Sequence, residues 1–229
     1  EEPLIFVEVA LVRDMAGNIQ DLLDESAERL DPAEASAAIF YSISNAQRGL
    51  AGISFGNVLI KRVVDQLASA LPKLQVFATL SPIPGFRAWL DDALSTDDLM
   101  STADGQALAK LAGDPDGEAL GRLLAGPEDA PACRAMETPL MQLCARYLVR
   151  EKGSDGRPRD PVARFHLSNG ARIERLNWLA DRSEKGLRES AGIMVNYLYK
   201  QGDIEANHEA YAAEARVTAS PAVAALAKR

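Results

Sequence analysis

The chain has 229 residues, 47% of them hydrophobic and 25% charged, with a formal net charge of -8. That length supports one substantial core or two small ones, the apolar content argues against extensive disorder, and the acidic balance argues against nucleic acid as the main partner. No run approaches the roughly 20 apolar residues a membrane-crossing helix needs, and the opening Glu-Glu-Pro carries no basic, cleavable signal, so no membrane partner is expected.

In chain order, Leu4–Leu11 (LIFVEVAL) reads as a buried strand, and Ile19–Leu30 as a short amphipathic helix. Ala37–Ser44 (AAIFYSIS) is a second strand, rich in aromatic and β-branched residues. A glycine-bearing loop, Asn45–Gly52, leads into Ile53–Leu71, where Val58, Leu59, Val63, Leu67 and Leu71 recur at helical spacing. Gln75–Leu80 (QVFATL) is a third strand, stopped by the two prolines of Ser81-Pro-Ile-Pro-Gly-Phe86. Leu90–Arg150 breaks into several short helical patterns, and the polar Glu151–Pro161 is the clearest exposed loop. Arg164–Asp181 is expected to be helical, Gly192–Tyr199 (GIMVNYLY) a late strand, and the chain from Ile204 a polar, Ala-rich helix that frays. No internal repeat and no boundary emerges. The order of elements predicts a single α/β domain over 1–229, with a mixed central sheet flanked by helices and a helical insertion in the middle.

Few residues carry obvious chemistry. Cys133 and Cys144 make no disulfide framework and fit no zinc spacing, so they read as reduced thiols on a helical segment. No metal-ligand cluster is present, and Asp91/Asp92 and Asp97/Asp98 read as solvated faces. Gln47-Arg-Gly-Leu-Ala-Gly52 lies between a strand and a helix, where glycines admit close backbone approach and free N–H groups can receive phosphate oxygens. It matches neither GxGxxG nor GxxxxGK[ST]. An ordinary structural turn and a phosphate cradle, with Arg48, Lys61 and Arg62 nearby in sequence, are both open. Ser81 ends an apolar strand, so it is either a turn-forming serine or a group bordering a cleft. His166 follows the polar loop and is either a capping or core histidine or a reactive one. His208, among Asp203, Glu205, Asn207 and Glu209, reads as solvated surface.

Several blocks together resemble malonyl-CoA decarboxylases: PLIFVEVAL at 3–11, IFYSIS at 39–44, Gln47–Asn57, LSPIPGF at 80–86, TPLMQL at 138–143, FHLSNGA at 165–171, LNWLAD at 176–181 and NYLY at 196–199. The resemblance implies the catalytic domain of that family, with a GCN5-related N-acetyltransferase fold, and the family's N-terminal helical domain is expected to be absent from this chain. It implies decarboxylation of malonyl-CoA to acetyl-CoA and CO2, a homo-oligomer, no cofactor, and Ser81 and His166 as the catalytic pair. It places malonyl-CoA against Ala51, Gly52, Ile53, Ser54, Phe55, Gly56 and Asn57, and against Tyr199, the family's tyrosine near the site. The chemistry is self-consistent, because the thioester is itself the electron sink and needs no metal, biotin or pyridoxal. A GCN5-type acyl-CoA N-acyltransferase and a non-catalytic malonyl-CoA-binding module are the alternatives. The C-terminal Leu-Ala-Lys-Arg is not a peroxisomal Ser-Lys-Leu, and a cytoplasmic, bacterial setting is expected.

Overall fold

The computed structural model describes residues 5–45, 56–96, 99, 102–112 and 117–228. Its five strands are β1 (Ile5–Val12), β2 (Ala37–Asn45), β3 (Val76–Thr79), β4 (Arg172–Asn177) and β5 (Met194–Leu198). They form one mixed sheet in the order β1-β2-β3-β5-β4, in which only β2 and β3 run parallel. Helix α1 (Ile19–Leu22) follows β1, and α2 (Gly56–Ala70) makes the crossover between the parallel strands that such a pair requires. The expected mixed sheet flanked by helices therefore forms. The helical insertion is α3 (Phe86–Ser95), α4 (Ala103–Ala112), α5 (Gly117–Ala125) and α6 (Pro131–Val149), followed by α7 (Pro161–Ser168). Helix α8 (Glu184–Ser190) precedes β5, and α9 (Ile204–Glu214) and α10 (Pro221–Leu226) close the chain.

Strand periodicity sorts side chains onto two faces. Ala38, Phe40, Phe77, Val195 and Tyr197 belong to the main core shared with the helical insertion. Ala37, Ile39, Ala78, Leu80 and Met194 face the other way, where Met15, Ala16, Ile19 and Leu22 of the α1 segment cover them. On this smaller face the fully buried Asn196 satisfies its whole amide. Its Nδ2 donates to Thr79 O (2.7 Å) and Ala16 O (3.0 Å), and its Oδ1 accepts from Asn177 Nδ2 (2.8 Å) and Arg175 Nε (3.1 Å).

Three expectations change. The helix expected over Ile19–Leu30 ends at Leu22, because Asp24 Oδ1 accepts from both Ser26 N (2.9 Å) and Ser26 Oγ (2.6 Å), a local turn that competes with helix. The helix expected over Arg164–Asp181 stops at Ser168 and gives way to β4. The tail does not hang free: Ser220 Oγ donates to Glu174 O (2.7 Å), and Ala219 bridges Ile173 of β4.

Candidate active site

Ser81 owes its position to the end of β3. Thr79 is the last residue paired with β2, opposite Phe40. Beyond it the chain turns to β5, and Ser81 exchanges two backbone hydrogen bonds with Val195, each 2.9 Å. Pro82 and Pro84 have no N–H to continue a ladder. The intervening Ile83 N–H donates instead to Ser190 Oγ at 3.1 Å. Ser81 is thereby fixed on both sides and 6% exposed. Lying two residues after Thr79, its side chain shares the main-core face with Thr79, and their hydroxyl oxygens are 2.8 Å apart. The Tyr197 N–H also donates to Thr79 Oγ1, at 3.1 Å.

His166 is delivered by α7. Asp160 caps this helix by accepting from Ala163 N at 2.8 Å, and Pro161 supplies a first residue preset for helix. The helix stops in a Schellman motif, with Ala171 N donating to His166 O (3.1 Å) and Gly170 N to Leu167 O (3.0 Å). Gly170 has φ +79, and a Cβ there would overlap Ile204 O, so FHLSNGA requires glycine at this point. Helix α9 seals the same end, through His208 Nδ1 donating to Ser168 O (2.6 Å) and Asn207 Nδ2 to Gly170 O (3.2 Å). His208 is consequently half-buried, not the solvated residue its neighbours suggest.

The two anchored segments bring His166 Nε2 to 3.2 Å from Ser81 Oγ, across 85 residues of sequence. On the other side of the ring, His166 Nδ1 is 2.7 Å from Tyr199 Oη. Tyr197 stacks on the imidazole with ring centroids 4.5 Å apart. Burial pushes the His166 pKa down to about 3. The C-terminal end of α7 favours a cation by about 0.3–2 kcal/mol, too little to offset that desolvation, so the ring is neutral. Burial likewise pushes the Tyr197 and Tyr199 phenols well up, so both keep their protons. Asp160, fully buried behind the site, has its carboxyl raised by burial, partly countered by the N–H groups of Ala163, Gly85 and Val162.

Of the residues expected at the site, Ser81, His166 and Tyr199 come together. Ala51, Gly52, Ile53, Ser54 and Phe55 lie outside the described residues, as does Arg48, while Gly56 and Asn57 contribute the first backbone turn of α2. Because β2 and β3 are parallel, the start of α2 and Ser81 belong to the same end of the sheet. Lys61 pairs with Glu205 at 3.2 Å on the exposed side of α2. Cys133 and Cys144 are buried free thiols on α6, with pKa values raised by burial, a setting unsuited to thiolate chemistry. Asp91 pairs with Arg87 at 3.3 Å and Asp92 is exposed. Among the described residues no group of side chains could hold a metal, and no helix is long and apolar enough to cross a membrane. Thr79, Tyr197 and Asp160 were not singled out by the sequence. Their signals were a two-residue spacing from Ser81 and Tyr199, and an Asp-Pro pair opening a helix.

A family model described as the malonyl-CoA decarboxylase C-terminal domain matches residues 1–229. The mitochondrial malonyl-CoA decarboxylase of Anser anser anser is 41% identical over 97% of this chain and 46% of its own length. That of Rattus norvegicus is 40% identical over 98% of this chain and 48% of its own length. Crystal structures of malonyl-CoA decarboxylases superpose closely. The one from Rhodopseudomonas palustris has 48% identity and a TM-score of 0.85, covering 98% of this chain and 49% of that one. The one from Agrobacterium vitis has 50% identity and a TM-score of 0.86, covering 98% and 53%. This chain spans about half the length of the curated relatives it matches.

Proposed function

From the premise that this chain belongs to the malonyl-CoA decarboxylase family, we propose that it converts malonyl-CoA to acetyl-CoA and CO2, with Ser81 and His166 as its catalytic pair. The observation that carries this reading is the 3.2 Å contact between Ser81 Oγ and His166 Nε2, which two separately anchored segments present together. Loss of CO2 leaves an electron pair on the carbon next to the thioester, delocalised as an enolate. That charge needs hydrogen-bond donors and that carbon needs a proton. Ser81 donates to the departing carboxylate and holds it out of the thioester plane, where the breaking bond overlaps the carbonyl. His166, neutral yet bearing one N–H, delivers the proton. The carbanion is a stronger base than imidazolate, so the transfer runs downhill, and the imidazole regains its proton from water through its hydroxyl neighbours.

The glycine-bearing segment 51–57 is assigned to the coenzyme A portion of the substrate, supported by the position of Gly56 and Asn57 at the Ser81 end of the sheet. Higher identity to the two bacterial proteins than to the two mitochondrial ones supports a bacterial setting, and a cytoplasmic one is part of the same reading. A homo-oligomer is part of the same reading. The test is mass spectrometry of the pure chain mixed with malonyl-CoA and no acceptor. Acetyl-CoA and CO2 are expected. Ser81→Ala and His166→Ala should lower turnover by roughly 10²–10⁴-fold while leaving coenzyme A affinity within a few-fold. Intact malonyl-CoA would point to a binding module, and turnover that requires an amine acceptor to an N-acyltransferase.

A further inference from the structure

His166 sits in a single file of hydrogen-bonding groups: Tyr197 N, Thr79 Oγ1, Ser81 Oγ, the imidazole, and Tyr199 Oη. The four links measure 3.1, 2.8, 3.2 and 2.7 Å. One end of the file has a fixed direction, because a backbone N–H can only donate, so Thr79 Oγ1 accepts there. The neutral ring contributes one N–H, and each of the three hydroxyls one O–H. Five protons therefore serve four links, and one is left over.

Which proton is left over decides the state of the imidazole. If Nδ1 carried the proton, it would donate to Tyr199 Oη, and the phenol O–H would be the surplus donor. Tyr199 is 2% exposed, and among the described residues its hydroxyl makes no other hydrogen bond. That arrangement strands the strongest donor of the file, a phenol, in the interior. It also leaves the bare imidazole nitrogen, the strongest acceptor, with an aliphatic hydroxyl, a weaker donor than the phenol, over the longer of its two contacts. The opposite arrangement lets the Tyr199 O–H donate to Nδ1 and leaves the surplus on an aliphatic hydroxyl. Nε2–H then donates to Ser81 Oγ, and the Ser81 O–H rests on Thr79 Oγ1.

We infer that Tyr199 is a positioning residue that holds the His166 proton on Nε2, the nitrogen facing Ser81, and does not itself bind substrate. The surplus proton has a use at Ser81. When an anionic carboxylate arrives, the Thr79 hydroxyl rotates to donate to Ser81 Oγ, and the Ser81 O–H is released toward the carboxylate. No covalent bond changes in this rearrangement; two hydroxyls rotate. The site thus offers two donors side by side, Ser81 O–H and His166 Nε2–H, where a decarboxylation needs them. Burial supports the same direction, since it keeps the phenol protonated and the ring neutral. The link to catalysis rests on the proposed decarboxylation, whereas the tautomer itself does not.

The experiment uses the whole chain labelled with ¹⁵N-histidine, wild type and Tyr199→Phe, with long-range ¹H–¹⁵N correlation of the imidazoles. There are two histidines, and His166→Gln assigns the signals. The ¹⁵N shifts report directly which imidazole nitrogen carries the hydrogen. The expected result is a protonated Nε2 and bare Nδ1 in the wild type, with the Nδ1–H form appearing in Tyr199→Phe. In parallel, kcat for malonyl-CoA should fall about 10²-fold with KM within about threefold, since a mis-set tautomer damages proton transfer and not binding. A wild-type Nδ1–H form, or Nε2–H unchanged in Tyr199→Phe, would overturn the inference. So would a raised KM with kcat preserved. If the wild type leaves malonyl-CoA intact, the proposed function fails and the spectra alone judge Tyr199.

Discussion

Tyr197 lies face to face with His166, their ring centroids 4.5 Å apart and their planes inclined by 24°. The stack does two things at once: it keeps water off one face of the imidazole, and it fixes the ring about the axis that points Nε2 at Ser81. The neighbouring residue on the same face, Tyr199, sets the other end of the ring. Two tyrosines at a spacing of two, Tyr197 on β5 and Tyr199 just past its end, therefore clamp one histidine, one by its face and one by its Nδ1.

The two clamps differ in what their hydroxyls contribute. Tyr197 Oη is buried and has no hydrogen-bond partner among the described residues. Removing an unsatisfied buried hydroxyl costs little, whereas removing the ring opens a cavity. Tyr197→Phe is expected to unfold within about 1 kcal/mol of the wild type and to retain turnover. Tyr197→Ala should lose about 3–5 kcal/mol and most of the turnover. Denaturant unfolding beside a malonyl-CoA assay checks both. A Phe variant as damaged as the Ala variant would show that the Tyr197 hydroxyl matters to the site.

The depressed pKa of His166 makes a prediction about acid stability. Between its ordinary value of 6.5 and about 3, the unfolded chain takes up a proton that the folded chain refuses. Stability contributed by the neutral, buried ring is present above pH 6.5 and lost as pH falls through that window, by about 2 kcal/mol at pH 5. Asp160, raised by burial, works in the opposite sense above its ordinary carboxylate range. Both proteins in a comparison of wild type with His166→Gln carry Asp160, so the difference isolates the histidine. Thermal or urea unfolding from pH 7.5 to 5 should show a shallower loss in His166→Gln. Parallel curves would mean that His166 protonates in the folded state. For the same reason kcat/KM should show no inflection near 6.5 attributable to this residue.

What the sequence made legible follows from how local each signal is. β2 was readable because Ala37–Ser44 is a run of apolar and β-branched residues that only a buried strand explains. β4 was not. Its sequence RIERLN carries a bulge between Ile173 and Arg175, so Ile173 and Leu176 both face the core at a spacing of three, which mimics a helix. The stop at Asn169-Gly170 was visible in the letters, but its force depends on Ile204 O packing where a side chain would go. At the site, Ser81 and His166 were singled out by family resemblance, and nothing local to either predicts their contact. That contact needs the locally capped α7 to meet the register of Ser81 against Val195, and that register is set by a pairing distant in sequence. Thr79 follows from Ser81 by alternation once β3 is placed. The Tyr197 stack does not, since it depends on how α7 crosses the sheet.

Gly85 offers a test of how the Ser81 turn is held against the helical insertion. It precedes α3, and a Cβ added there would overlap the hydroxyl oxygen of Tyr147, with the ring carbon Cζ next at 3.4 Å, an ordinary contact. Tyr147 is buried among Phe86 and Trp89, with ring centroids at 5.9 and 5.2 Å, so its ring has little room to retreat. Gly85→Ala is therefore expected to cost about 1–3 kcal/mol by overpacking. It should also lower turnover, because the displaced segment begins four residues after Ser81. Tyr147→Phe deletes the clashing atom and keeps the ring, so the double variant should be more stable than the two single effects sum to, by about 1 kcal/mol or more. Turnover should recover with it. A double-mutant cycle by urea unfolding and malonyl-CoA assay measures both quantities on the same proteins. Strict additivity would place the cost of Gly85→Ala in the backbone of the turn and remove Tyr147 from the support of Ser81.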